Sequence, residues 1–310
     1  MFRLSRWGKA SYETPDSVEA QKKQLSELVE LVSDNADAEI IVIHSKMRIG
    51  HVQIQKMPSA KLIVTTTSGH EHMDIPALHA AGVRTLRMPL LRRDAVVDTA
   101  LALLLTGMRR IYHFKHSASL NDWSRARLPQ INPLSFRGLD VGIVGCGVIG
   151  RQMITVLTQL GANIHALDPN GVPDGVQEVD NVMALASRVQ ALSLHCDLNP
   201  TSANLISEDV LSAMPYGSIL VNTARGGLVD EQAAIAALDR GQLSYLGLDV
   251  FASEPYSQLN TVNNYPNLDL LPHAAGFHQS LLDDMSSQLV DICHAFVAGG
   301  ELPYEILSAS

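Results

Sequence analysis

The ten residues Val141–Gly150, VGIVGCGVIG, hold the key to the fold. An apolar run ends in glycines at 145, 147 and 150, and the stretch behind them, RQMITVLTQLG, has helical spacing. A G-x-G-x-x-G triplet alone is weak. Between a strand and a helix its glycines have separate duties: the first makes a tight turn, the second lets the backbone approach a pyrophosphate, and the third packs helix against strand. The helix N-terminus then offers N–H groups to the phosphates. The next strand, NIHALD, closes on Asp168, whose carboxylate is positioned to accept both hydroxyl protons of an adenosine ribose. Pro169 and Asn170 follow and no arginine stands there to meet a 2′-phosphate, so the expected cofactor is NAD rather than NADP.

Outward from this turn the pattern is regular. Strands LDVGIVG, NIHALD, VQALSLHCD, GSILVNTA, YLGLDVF and NLDLLPH are interleaved with helices RQMITVLTQLG, NVMALASR, SEDVLSAM and DEQAAIAALDRG. Alternation of this kind predicts a doubly wound parallel sheet with helices on both faces. Ahead of it, helix EAQKKQLSELVELV, strands AEIIVIHS and KLIVTTTSG, helix HMDIPALHAAG and strand VRTLRMP read as a smaller α/β unit. Asp94 is the expected N-cap of a long apolar helix, AVVDTALALLLTGMRRI, which needs cover from other protein on most sides. The polar segment from Tyr112 to Gly138 reads as a protruding arm. The last helix, SLLDDMSSQLVDICHAFVAGG, is expected to return to the first unit. The boundaries that follow are residues 1–93 with 277–310 for one domain and 94–276 for the other.

The 310 residues and 46% hydrophobic content suit two domains with cores of their own and a cleft between them. Acidic residues outnumber basic ones, 32 to 23, for a formal charge of −9, so no nucleic-acid partner is expected. Cys146, Cys196 and Cys293 are odd in number and scattered, which argues against a disulfide framework or a zinc site and for a reducing cytoplasm. The N-terminus lacks a signal core and no apolar run approaches membrane-spanning length, so neither export nor a membrane is expected.

The carboxyl ends of the predicted parallel strands bring together Asp168, His195 to Asp197, Thr223 to Arg225, Asp249 and His273, with Glu254 just past Asp249. Ligands of open parallel sheets bind along that edge. Arg225 ends an apolar strand in GSILVNTARGGLVDE, where a guanidinium either pairs with Asp230 or Glu231 at the surface or meets a planar carboxylate ligand. His273 and His195 are the neutral-pH proton donors of the row, and a carboxylate at Glu254 favours an imidazolium at His273. Arginine, glutamate and histidine together suit reduction of a 2-oxo acid. His195-Cys196 has the look of a nucleophile pair, but strand neighbours point to opposite faces, so these residues read as a cofactor wall. His70, Glu71 and His72 could begin a metal site, yet no third ligand is evident and no metal is expected.

Taken together, GIVGCGVIG, VNTARGGLVDE, GLDVFASEP and LLPHAAG resemble the D-isomer-specific 2-hydroxyacid dehydrogenase family, over roughly Lys61 to Gly276. The resemblance implies a Rossmann-type NAD-binding domain, with a dimerisation helix and arm, plus a smaller flavodoxin-like α/β substrate domain. It implies that Arg225 binds the substrate carboxylate and polarises the carbonyl, that His273 is the acid/base, and that Glu254 partners His273. It also implies that Asp249 contacts the nicotinamide carboxamide, that Thr223 and Ala224 line the nicotinamide, and that Val148, Ile149, Cys196 and Gly276 touch the cofactor. The backbone of Ser68 and Gly69 matches the family's substrate-carboxylate loop, and a homodimer is the expected assembly.

Several positions depart from the family pattern. Asp98 stands where glutamate is usual, Asp197 and Asn199 where proline and threonine are usual, and Arg92 and Arg93 fill a loop that is mostly small and polar in relatives. None removes a catalytic group, but the arginines open the question of a second cationic anchor for the substrate. Two rival activities belong to the same resemblance. One is an NAD-sensing, corepressor-like binding protein; the other is a formate- or phosphite-type dehydrogenase, against which Glu254 speaks because formate enzymes of this superfamily pair their histidine with glutamine.

Overall fold

The computed structural model of the protein describes residues 1–8, 13–123, 125, 128–257 and 265–307. The chain divides into two compact units, Met1–Arg92 with Phe277–Ser310, and Arg93–Gly276.

The first unit is built from β1 (Arg3–Trp7), α1 (Pro15–Leu25), β2 (Glu30–Leu31), β3 (Ile40–Ile43), α2 (His51–Gln55), β4 (Leu62–Thr65), α3 (Ile75–Ala80) and β5 (Arg84–Arg87). Its five strands are all parallel in the order β2-β1-β3-β4-β5, the flavodoxin-like arrangement. IIVI of β3 and LIVT of β4 are buried at every position, as central strands covered on both faces must be. Several elements differ from the sequence expectation, among them α2, which it lacked. The helix expected to run from Glu19 to Val32 starts earlier, at Pro15 behind a Thr14 capping box, and stops at Leu25; Glu30 and Leu31 then pair with Arg3 and Leu4. β1 itself, RLSRW, carries no apolar run and takes its strand character from lying between two partners, β2 and β3.

The second unit opens with α4 (Arg93–Met108), α5 (Ile111–Ser119) and α6 (Leu128–Ile131). α4 begins one residue before Asp94, which therefore sits in the first turn rather than at the N-cap; there its negative charge still complements the helix dipole. One face of α4, through Val97, Ala100, Leu104 and Met108, is buried within its own unit. In the segment read as a protruding arm, residues 111–119 are helical, after a break at Arg110, whose φ of 54° is left-handed. Residues 124, 126 and 127 of that segment lie outside the described residues.

Seven strands follow: β6 (Asp140–Val144), β7 (Asn163–Leu167), β8 (Gln177–Glu178), β9 (Ala191–Leu194), β10 (Ser218–Asn222), β11 (Leu243–Leu248) and β12 (Leu268–Leu270). Between them run α7 (Val148–Gln159), α8 (Val182–Ala186), α9 (Glu208–Ala213) and α10 (Glu231–Asp239). The parallel order β12-β11-β10-β9-β6-β7-β8 is the Rossmann order with one added strand, and its direction reverses between β6 and β9. Two apolar clusters cover the two faces of this sheet. Tight packing on one face is visible at Gly107 of α4, where a Cβ would stand 2.6 Å from the Tyr245 ring of β11.

The chain returns to the first unit as α11 (Leu281–Val297), whose Leu281, Met285, Leu289 and Ile292 join that unit's core with Leu4 and Leu25. The segment 304–306 then covers the free edge of β5. Ile306 N–H donates to Thr85 O at 2.8 Å, and Arg84 forks onto Glu305 at 2.6 and 2.7 Å. That edge is thereby paired rather than open.

Candidate active site

The turn between β6 and α7 realises the three glycine duties one by one. Gly145 has φ +93° and a Cβ there would be 2.6 Å from the backbone nitrogen of Cys196. A Cβ on Gly150 would be 1.9 Å from the carbonyl oxygen of Gly145, so no side chain fits at either position. Gly147, the N-cap of α7, differs: a Cβ there meets nothing within 4 Å. The open side of this turn is the side at which the first N–H groups of α7, from Val148 and Ile149 on, lack intrahelical acceptors. This is a cradle for an anionic group. At the end of β7, Asp168 accepts hydrogen bonds from the amides of Cys146 (2.5 Å) and Asn170 (2.7 Å), so its charge sits beside the glycine turn.

His195 and Cys196 lie just past β9, not within it, so the alternation argument applied to them does not hold. Burial pushes the His195 imidazole down to about 4 and the Cys196 thiol up to about 11. His195 is therefore neutral near pH 7, with Nε2 2.9 Å from Ser193 Oγ, and Cys196 is a protonated thiol rather than a nucleophile. At the end of β10 the Thr223 hydroxyl is buried with no hydrogen-bond partner. An orphaned hydroxyl at the carboxyl edge, beside a glycine cradle open at Gly147, fits a dinucleotide lying along that edge.

Arg225 owes its position to Asn222, a buried residue that sequence analysis passed over. The Asn222 side chain receives the Ala224 N–H (3.0 Å) and donates to Arg225 O (2.9 Å), bending the chain out of β10. Gly226 then lets this bend touch the loop behind β11, for a Cβ there would be 1.9 Å from the carbonyl carbon of Phe251. That second loop carries Glu254. It is fixed from below by Glu231, the last residue of VNTARGGLVDE, which accepts the Ala252 N–H at 2.6 Å, a role the motif does not announce.

His273 follows β12 with φ +56°, a left-handed conformation uncommon outside glycine and asparagine. Asp249 holds it there. The His273 N–H donates to Asp249 O (2.8 Å), and the two Asp249 carboxylate oxygens accept from Ala274 (2.7 Å) and Ala275 (3.0 Å). Asp249 is almost fully buried, and burial raises its carboxyl above the usual range while those amides pull it back. The resemblance sets Asp249 at a nicotinamide; in the structure both its oxygens serve the histidine loop. The His273 Nδ1 faces Glu254 Oε2 at 2.9 Å and Oε1 at 3.1 Å, which leaves Nε2 as the ring atom directed elsewhere. Gly276 closes the same loop as the last residue of the second unit.

In the first unit, Ser68 and Gly69 leave β4 at its carboxyl end. Gly69 O accepts from the Thr67 hydroxyl (2.9 Å), and Ser68 Oγ lies 3.4 Å from Pro89 O. His72 Nε2 meets Thr65 Oγ1 at 3.1 Å, and His70 Nδ1 is buried without a partner. Among the described residues no group of three metal-ligating side chains is assembled. Arg93 forks onto Asp94 at 2.7 and 3.1 Å and so is committed within α4. Asn199, one of the departures from the family pattern, caps its own loop by accepting from the amides of Thr201 (2.9 Å) and Ser202 (3.2 Å).

Residues 101–275 match the family model described as D-isomer specific 2-hydroxyacid dehydrogenase, NAD binding domain. The chain is 30% identical over 277 residues to the glycerate dehydrogenase of Methylorubrum extorquens, covering 87% of this chain and 86% of that one. It is 28% identical over 295 residues to the glyoxylate reductase of Thermococcus litoralis, covering 92% and 84% respectively. Among solved structures, a glyoxylate reductase from Paecilomyes thermophila superimposes with a TM-score of 0.83 at 25% identity, covering 98% of each chain. The chain belongs to the D-isomer specific 2-hydroxyacid dehydrogenase family. It is an NAD-dependent dehydrogenase of that family.

Proposed function

We propose that the protein reduces a small 2-oxo acid to the corresponding D-2-hydroxy acid, with Arg225, Glu254 and His273 as the reacting set. The observation that carries this reading is the 2.9 Å contact between His273 Nδ1 and Glu254, whose loop packs against the Arg225 bend at Gly226. Nucleotide binding would rest on Gly145, Gly147, Val148, Ile149 and Gly150 at the phosphates, Asp168 at the ribose, and His195, Cys196, Thr223 and Ala224 along the strand edge. Bound NADH would supply the hydride that the carbonyl carbon receives. Arg225 binds the substrate carboxylate bidentately and draws electron density from the neighbouring carbonyl. His273 gives the Nε2 proton to the carbonyl oxygen, and Glu254, held at Nδ1, fixes the ring's orientation. In the reverse direction the same nitrogen takes the hydroxyl proton. His195, held neutral by burial, supplies no proton at neutral pH, which favours His273 as the donor.

Ser68 and Gly69 would complete carboxylate binding through backbone N–H groups, with small 2-oxo acids and 2-hydroxy acids as the substrates beside NAD. A cytoplasmic homodimer is the assembly we infer. Leu101, Ala102 and Leu105 on the outer face of α4 keep apolar surface exposed or half-exposed, and none of the described helices is long and apolar enough to cross a membrane. Burial raises the thiols of Cys146 and Cys293 to about 11 and about 12, in keeping with a reduced, unreactive set of cysteines. The test is loss of NADH absorbance with glyoxylate, hydroxypyruvate and pyruvate, run in parallel with NADPH. Turnover with NADH ahead of NADPH supports the reading; no turnover of any oxo acid overturns it.

A further inference from the structure

Arg92 and Arg93 could either turn into a substrate pocket as a second anchor or turn outward onto acids such as Asp94, and Arg93 does pair with Asp94; a further cation, Arg87, stands on the first unit's sheet. Arg87 is the last residue of β5, on the carboxyl edge of the first unit's sheet, beside the loop that leaves β4. Hydrogen bonds sew these strand ends together. Met88 N–H donates to Thr67 O at 3.1 Å, Ser68 Oγ lies 3.4 Å from Pro89 O, and Arg87 Nη1 lies 3.4 Å from Ser68 O. The last distance exceeds the usual N–H···O range and engages one of five guanidinium donors.

Some arginines of the described residues, Arg109, Arg110 and Arg240 among them, bond to carbonyl or hydroxyl oxygens, and others are committed to acids. Arg84, on the same strand, forks onto Glu305, Arg93 forks onto Asp94, and Arg6 pairs with Glu13. Among the described residues no carboxylate stands within 4.0 Å of Arg87, although it is half-buried. A half-buried guanidinium with one weak carbonyl contact retains the planar fork that carboxylates and phosphates fit. Its place at the carboxyl end of a parallel strand is where such a sheet receives ligands.

We propose that Arg87 is the specificity-determining cation of the first unit and takes a second anionic group, carboxylate or phosphate, at the far end of the 2-oxo acid. The inference rests on the assignment of Ser68 and Gly69 as the loop that binds the reacting carboxylate. Its neighbour Arg87 then selects for a substrate carrying two negative charges separated by the ketone. The competing role is a structural one, in which Arg87 only braces the Ser68 carbonyl.

The experiment compares kcat/KM with NADH for oxaloacetate against 2-oxobutanoate, and for phosphohydroxypyruvate against hydroxypyruvate, in the wild type and in Arg87→Gln and Arg87→Lys. The two pairs separate a terminal carboxylate from a terminal phosphate. At least one charged member should be preferred by the wild type. Arg87→Gln should lower that preference on the order of 10- to 100-fold, mainly through KM, as for loss of a hydrogen bond to a charged group. Arg87→Lys should restore part of it. Equal losses on charged and neutral members, or a wild type without preference, would overturn the proposal while leaving the reductase reading intact. A wild type that reduces glyoxylate and none of these four would likewise overturn Arg87 alone, whereas one that reduces no oxo acid overturns both. Should the variants fail to fold, competitive inhibition of the wild type by succinate and by butanoate decides: succinate should bind at least about 10-fold tighter, and equal inhibition sinks the second anchor.

Discussion

At the scale of single residues, His273 and its neighbours divide labour between chemistry and restraint. His273→Ala should lower reduction on the order of 100- to 10,000-fold, the usual contribution of a positioned acid. Glu254→Gln should keep a hydrogen bond to Nδ1 but remove the charge, and so lower reduction less than His273→Ala does; steady-state kinetics of the two variants check both points. His195 offers a test that does not involve turnover. Burial holds its imidazole at about 4, against an ordinary value near 6.5. Below the ordinary value the unfolded chain binds a proton that the folded one does not. Stability from His195 is therefore fully present above about 6.5 and falls as pH drops toward about 4. Melting curves of the wild type and His195→Gln over that window should converge at low pH if this holds, because the variant lacks the titrating group.

Among elements, the loop that leaves β10 and the turn between β6 and α7 depend on glycine for different reasons. Gly226→Ala would drive a Cβ to 1.9 Å from the Phe251 backbone, so the Arg225 bend must part from the Glu254 loop. We expect a loss of several kcal/mol of stability, as for overpacking against unyielding backbone, seen as a lowered Tm. Gly147→Ala meets no atom within 4 Å, so its Tm should stay near wild type while the KM for NADH rises. Equal Tm losses in both variants would mean that the open side of Gly147 is not where the nucleotide lies. α4 shows the same division in helical form. Val97, Ala100, Leu104 and Met108 face the unit's own core, while Leu105 points outward at 37% exposure.

For the molecule as a whole, that outward face asks for a partner. Leu105, Ile111, Leu120 and Trp123 are exposed on neighbouring helices and turns of the second unit, and Trp123 is 76% exposed. A patch of this kind is uncommon on a monomer and suits a two-fold contact. Sedimentation equilibrium should show a dimer at micromolar concentration, and Leu105→Glu with Trp123→Glu should shift it toward monomer. A wild type that sediments as a monomer would remove the assembly and leave those side chains unexplained.

Much of this architecture was legible in the chain alone, for a local reason. VGIVGCGVIG, the alternation of apolar strands and helices after it, and the row Asp168, Arg225, Asp249, Glu254, His273 are short-range patterns, and right-handed parallel crossovers leave few ways to arrange them. What escaped were features set by non-local partners. RLSRW became a strand because it lies between β2 and β3, and the expected first helix stopped at Leu25 because Glu30 and Leu31 pair with the same strand. The helix at 111–119 emerged from a segment read as an arm. Asn222, Glu231 and Asp249 hold the catalytic loops through bonds to backbone groups, some of them 21 to 26 positions away, and no sequence motif marks such a bond. The chain's own pattern thus determined the fold class and the family, and marked the side chains of the candidate site. Only the tertiary structure decided which polar residues restrain them and that Arg87, at a strand end, has no carboxylate beside it among the described residues, because burial and pairing are properties of neighbours that sequence distance hides.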